Sequence, residues 1–282
     1  MIAALLLAAS LSQAASAIDI TVSARSLAPG ELAVVALKLN EEAGSITVSA
    51  FGRKTPAYRL RAGEWQALVG IDLDQAPGAY VLTVEAHAGA AVVRGRKSIQ
   101  VKPRTFATRT LRVDPEFVNP PEAVLARIAS EAAFIAGVSK SSAAERLWSA
   151  PFARPVEDPA NSRFGTRSVY NGEKRRPHGG ADFLSPAGRP VRAPNAGRVV
   201  AARDMFFTGN TVIIDHGLGV VSLLAHLSAM DVHEGDEVAA GQVMGRVGAT
   251  GRVTGAHLHW GITIGGARVD PLSVLALVGG NH

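Results

Sequence analysis

The 282-residue chain contains no cysteine, which excludes disulfide bridges and thiolate metal ligands and leaves the compartment undecided. Long hydrophobic runs are equally scarce. Beyond the first seventeen residues none approaches the roughly 20 apolar residues that a membrane-spanning helix requires, so the mature chain reads as soluble. Internal repeats and low-complexity segments are not evident.

Charge is missing from residues 1–17, which run apolar from Ile2 through Leu11 and close on Ala15-Ser-Ala17. That is the small-x-small spacing of a signal-peptidase site, so the segment reads as a cleaved secretion signal and places the protein outside the cytoplasm, periplasmic or secreted. No Lys or Arg follows Met1, which keeps a mis-assigned start or an N-terminal anchor as competing readings. The net charge of +5 belongs to the remainder. A basic surface suits an anionic polymer such as cell wall or outer-leaflet lipid, while scattered Lys and Arg argue against nucleic acid.

The chain is long enough for two domains, and its texture changes twice. Residues 18–104 show short alternating apolar runs, among them Ile18–Val22, Leu32–Leu39, Ser45–Ala50, Trp65–Ile71, Gly78–Ala86 and Ala90–Val101, with turns at Pro29-Gly30 and Pro77-Gly78. The pattern predicts an immunoglobulin-like β-sandwich without a disulfide, its one histidine, His87, being a surface or packing residue. Residues 105–150 form a connector. Asn119-Pro-Pro121 can cap and open a helix, and Val124, Leu125, Ile128, Ala132 and Ile135 recur at helical spacing, predicting an amphipathic helix over 121–136. Its apolar face packs on one of the domains or lies along the cleft. From Pro151 to about residue 278 glycine and proline become dense and strands return, over Val191–Val200, Thr211–Asp215, Gly219–Leu224, Gln242–Val247 and Ala256–Ile264. The fold class is therefore mainly β.

Six of the eight histidines lie between residues 178 and 259. On a strand His257 and His259 point one way and Leu258 and Trp260 into the core. His178 and Asp182, four apart with Gly179-Gly180 between, fit a loop entering a strand. With His226 these residues supply two imidazoles and a carboxylate for a metal and two imidazoles for proton transfer. Three protein ligands leave a fourth position open for water or substrate, the mark of a catalytic site.

The stretch from Phe152 to about Leu277 resembles the lysostaphin-like (LytM-type) zinc metallopeptidases, which cut the peptide part of peptidoglycan. The resemblance rests on Ser162-Arg-Phe-Gly165, His178-Gly-Gly-Ala-Asp182, Val191-Arg-Ala-Pro194 with Gly197-Arg-Val-Val200, and Gly209-Asn-Thr-Val-Ile-Ile-Asp-His-Gly217. It continues through Ala225-His-Leu-Ser228, Gly235-Asp-Glu-Val238, Thr250-Gly251 and Thr254-Gly-Ala-His-Leu-His259. It implies one zinc ion on His178, Asp182 and His259, with His226 and His257 as the catalytic pair in an order the sequence leaves open. A β-sheet domain with an open groove and peptidoglycan peptides as substrate follow from the same resemblance. A non-hydrolytic LytM-like module that binds wall or activates an amidase is the alternative. Leu224, Val253 and Ala256 depart from the family pattern, where tyrosine, serine and proline are common, and put substrate fit in question.

Other residues invite weaker readings. Asn210 orients the site or forms a turn, and Arg252 meets substrate carboxylates or is solvated. Gly245, Gly248 and Gly251 lack phosphate-loop spacing. Residues 234–242 read as a hairpin without a lysine at its tip. His216 reads as a turn residue and His233 as a surface one.

Overall fold

The computed structural model describes residues 18–280 apart from 41, 113–114, 161–163 and 175; the expected secretion signal at 1–17 lies outside the described residues. Eight strands build the N-terminal part: β1 (Asp19–Ser23), β2 (Leu32–Lys38), β3 (Ser45–Ala50), β4 (Arg53–Pro56), β5 (Tyr58–Arg61), β6 (Glu64–Gly70), β7 (Gly78–Ala88) and β8 (Ala91–Val101). They form two antiparallel sheets, β1-β2-β6-β5 and β4-β3-β7-β8. Strand β7 shows why these residues choose strand. Leu82, Val84 and Ala86 are buried while Val81 and His87 are exposed, so every second side chain enters the core. Strand β2 differs, because both of its faces are covered. Ala33, Val35 and Leu37 join the core between the two sheets, whereas Leu32 and Val34 join a second core beneath the C-terminal sheet. The run Leu32–Lys38 is accordingly almost continuously apolar.

The second core lies under a nine-stranded sheet. Its strands are β12 (Gly180–Phe183), β13 (Pro190–Arg192), β14 (Gly197–Met205), β15 (Gly209–Asp215), β16 (Val220–Met230), β17 (Glu237–Val238), β18 (Val243–Val247), β19 (Leu258–Ile264) and β20 (Ala267–Val269). The central order is β12-β19-β16-β15-β14-β17. Alternation sorts each strand by face. Ala181, Phe183, Val212, Ile214, Leu224, Leu258 and Trp260 go to the core, leaving Asp182, Ile213, Leu223 and His259 on the other face. Trp260, Phe152 and Phe183 are among the largest fully buried side chains. Each is worth on the order of 2–3 kcal/mol of burial.

The connector is richer than one helix. Strand β9 (Thr108–Leu111) runs parallel to β10 (Arg167–Tyr170), which pairs with β11 (Glu173–Lys174). Helix α1 spans Glu122–Val138, starting after Pro121 with no side-chain cap. Asn119, expected to cap it, instead donates its Nδ2 to Glu173 Oε1 at 3.4 Å. Helix α1 lays Phe134, Ile135 and Val138 against Ala201, Met205, Ile213, Val221 and Leu223, on the sheet face that carries Asp182 and His259. Arg127 holds it through Asp204 at 2.8 Å, and Glu131 accepts the Phe206 N–H at 2.9 Å.

Two expectations need correction. The single strand over Val191–Val200 is broken at residues 193–196 into β13 and β14, which pair with different partners, because Pro194 cannot donate to a ladder. The C-terminal segment also ends in a helix, α2 (Pro271–Val278), in which Ser273 is the one polar side chain, so there is no polar face to set off a helical stripe. Its signal was Asp270-Pro271: the Asp270 carboxylate accepts from Leu272 N at 3.0 Å and Pro271 fills the first turn.

A buried charge cluster ties α2 to β2. Arg25 donates to Glu31 and Asp270, Arg104 donates to Glu31, and Ser273 Oγ bridges from Leu32 N to Glu31 Oε2. Glu31 and Asp270 side chains are 5% and 2% exposed, so removing one partner would strand a buried charge.

Candidate functional site

Strand β12 sets Asp182 opposite His259 of β19. The approach requires a glycine at 180, since a Cβ there would lie 2.4 Å from Trp260 O and 2.6 Å from the His259 ring. His178 reaches in from the loop before β12. His178 Nε2 and His259 Nδ1 are 2.9 Å apart, and Asp182 Oδ1 is 3.0 Å from each. The three side chains are 14%, 15% and 9% exposed.

Three atoms that each carry a lone pair thus crowd into one triangle. Protons on the two ring nitrogens, as neutral tautomers donating to Asp182 Oδ1, would relieve the repulsion only by crowding two N–H groups onto one oxygen with their nitrogens 2.9 Å apart. Burial, helped by the neighbouring His178 and His257 and opposed by the bond to Asp182, lowers the His259 pKa and favours its neutral form. For Asp182, burial works against ionisation, but the bonds to His178 and His259 outweigh it and hold its pKa far below the usual carboxylate range. A carboxylate beside two imidazole lone pairs fits a divalent cation. The edges suit a small tetrahedral ion, whose donors at about 2.0–2.1 Å lie roughly 3.3 Å apart.

Two further imidazoles flank the triangle. His226 and His257 have ring centroids 4.9 Å apart, and His226 lies 6.0 Å from the His259 ring. A carbonyl can only accept, so His226 Nδ1 donates to Thr250 O and His257 Nδ1 to Gly255 O, both at 2.9 Å. Each neutral ring therefore keeps its Nε2 lone pair for other work. His257 Nε2 stands 3.8 Å from Asp182 Oδ1, so it faces the donor triangle. Burial, followed by the neighbouring His259 and His257, depresses the His226 pKa to about 3. His226 remains neutral in ordinary buffers.

The backbone at His226 is unusual. Its φ of 65° is left-handed, uncommon for a residue with a Cβ, and the pairing of β16 with β15 and with β18 shifts register on either side of it. Thr250 pins this bulge, accepting from Asn210 N and donating Oγ1 to Leu227 O, both at 2.9 Å. Asn210 thus contributes through its backbone.

All five expected site residues come together, although His257 precedes β19 and is held by a bridge to Gly248 rather than by the strand. Arg252 is sandwiched at 5.0 Å from the Tyr170 ring and 4.5 Å from Phe207. The sequence offered no pointer to Tyr170 or Phe207, and it placed Thr250 in a family motif without a role; what these residues do depends on loops meeting in space. Leu224 is fully buried in the core beside Trp260, so its departure from the family pattern concerns packing rather than substrate. His233 is exposed, as expected. His216 sits in the turn after β15 yet is fully buried.

Residues 176–271 match the model of peptidase family M23. Peptidoglycan DD-endopeptidase ShyA of Vibrio cholerae is 40% identical over 113 residues, which are 40% of this chain and 26% of that protein. DD-carboxypeptidase/endopeptidase Mpg of Neisseria meningitidis serogroup B is 46% identical over 114 residues, again 40% of this chain and 26% of that protein. The aligned segment spans about a quarter of these curated relatives. A crystal structure from Pseudomonas aeruginosa assigned to peptidase M23 superposes with a TM-score of 0.69 at 33% identity, covering 88% of this chain and 94% of that one. Likeness over nearly the whole of that structure, N-terminal sheets included, together with the matched segment around the histidines, makes this chain a member of peptidase family M23.

Proposed function

We propose that the protein is a zinc-dependent endopeptidase acting on peptidoglycan peptides outside the cytoplasm, with His178, Asp182 and His259 holding the ion and His226 and His257 serving catalysis. The observation that carries the proposal is the triangle of donor atoms with edges of 2.9–3.0 Å, beside two histidines whose Nδ1 protons are already committed. A zinc ion supplies Lewis-acid polarisation of a carbonyl and lowers the pKa of water it binds towards about 7.

The protein's own residues do the remainder. Asp182 contributes the charge that balances the ion, and the strand pairing of β12 with β19 fixes the spacing of its ligands. One ring of the His226–His257 pair accepts the proton released by the attacking water and passes it to the leaving amine. The other steadies the oxygen on which negative charge develops, for which its Nε2 must carry a proton, since its Nδ1–H is already given to a carbonyl; each role is worth on the order of a hundredfold or more. The carbonyls of Thr250 and Gly255 orient the two rings. In this reading residues 1–17 direct secretion, 18–104 form a positioning or regulatory domain, 105–150 connect, and 151–278 carry the catalysis.

Digestion of purified sacculi tests the proposal. Release of new amino groups that vanishes on chelation and returns with zinc is the expected result; wall binding without release would favour the non-hydrolytic module and overturn the enzyme.

A further inference from the structure

Beside the donor triangle, the sheet face and α1 enclose an apolar hollow of about 160 Å³. Its walls are Ile135 and Val138 of α1, Ile213, Val221 and Leu223 of the sheet, and the ring of His259. We propose that this hollow is a substrate subsite, taking one uncharged aliphatic side chain of a peptide whose scissile bond lies at the donor triangle; this rests on the peptidase reading above.

Size, polarity and position each support it. A comparable apolar cavity of about 150 Å³ accommodates benzene, so the hollow admits a group of roughly six carbons. Arg268 is the charged residue on its border, and its guanidinium is matched by Asp72 and Asp74 at 2.7 Å each. A charged side chain entering here would lose its water and gain no counter-ion, whereas an aliphatic one gains by burial.

The His259 ring both lines the hollow and presents Nδ1 to the triangle, so the two spaces are one imidazole apart. Successive residues of an extended peptide advance by about 3.3–3.6 Å, which places in the hollow a side chain one or two residues from the cleaved bond. Gly179 and Gly261 leave the floor low: a Cβ on Gly179 would meet nothing closer than 3.9 Å. Two of the walls, Ile135 and Val138, lie outside the segment 176–271 that matches the family. Selectivity at this position therefore comes from the connector helix.

The absence of cysteine permits a reversible test. Ile135→Cys places a single thiol in the wall, to be capped with a methylthio or a benzylthio group and later freed by a reductant that is removed before assay. The methylthio form is expected to digest sacculi within about twofold of the uncapped variant. The benzylthio form should lose at least about tenfold in kcat/KM, mostly through KM, with bound metal unchanged and activity restored on reduction. Undiminished activity of the benzylthio form would overturn the subsite.

A second measurement does not depend on turnover. NMR titration of metal-depleted protein with the peptides Ala-Leu-Ala, Ala-Gly-Ala and Ala-Lys-Ala should rank leucine tightest by about fivefold or more and lysine weakest. Equal affinities would overturn the subsite even in an active enzyme. If uncapped protein released no amino groups, the peptidase reading would fall, while the ranking would still decide the hollow.

Discussion

His216 and His259 serve opposite faces of one sheet, and the contrast between them separates a structural histidine from a chemical one. On the core side His216 is fully buried and both nitrogens are engaged, Nδ1 with Ala196 O at 2.8 Å and Nε2 with Ser222 Oγ at 2.9 Å. Ser222 Oγ also accepts from Trp260 Nε1 at 3.2 Å. The network is closed. On the other face His178, His259 and Asp182 turn three ligand atoms toward one another at 2.9–3.0 Å, and His226 and His257 each hold one nitrogen in reserve. Burial does not discriminate, since His226 is 7% exposed. What discriminates is whether the hydrogen-bonding capacity has been used.

The largest test of this contrast is Asp182→Asn, which keeps the shape and removes the charge. Metal retained after dialysis should fall to background and sacculus hydrolysis should drop by at least about a thousandfold, with the melting temperature little changed. Retained metal at full stoichiometry would show that the open triangle is not what binds it. Next come His226→Ala and His257→Ala, expected to lower kcat by about a hundredfold to a thousandfold while metal content stays at the wild-type level; loss of metal in either would move that residue into the ligand set.

The closed network predicts a smaller effect, on stability alone. Burial depresses the His216 pKa from 6.5 to about 4, with the bond to Ala196 opposing the shift. The folded state therefore binds fewer protons than the unfolded one between these values. The stability from neutral His216 is complete above pH 6.5 and is lost as pH falls toward 4, by about 3 kcal/mol in all. Urea unfolding across that range should show the decline, and in His216→Leu this component should be missing while metal binding persists.

The smallest effect concerns the left-handed backbone at His226. Asparagine tolerates that conformation and a β-branched residue does not, so His226→Asn should be about 1–2 kcal/mol more stable than His226→Val. Equal stabilities by denaturant melts would mean that the bulge relaxes freely.

Much of this was legible along the chain. Strands announced themselves where one face was buried, as in β7, and the glycine pair after His178 read as a loop entering a strand, where β12 begins at Gly180. Less legible were elements whose stabilising partners are remote. Strand β9 pairs with residues nearly sixty positions later, α2 has too few polar residues to show a stripe, and the two halves of Val191–Val200 pair with different strands. His216 read as a turn residue because a turn in the sequence says nothing about what covers it.

By itself the sequence determined which side chains are available: four imidazoles and a carboxylate at spacings that suit a metal and a proton carrier, and no thiol to compete with them. Only the tertiary structure decided their geometry. Cross-strand register sets Asp182 against His259, a bulge held by Thr250 turns His226 toward them, and a connector helix walls the space alongside. Side-chain chemistry is local and travels with the residue, whereas distances of 3 Å between donors come from pairings across 77 and 81 positions of chain.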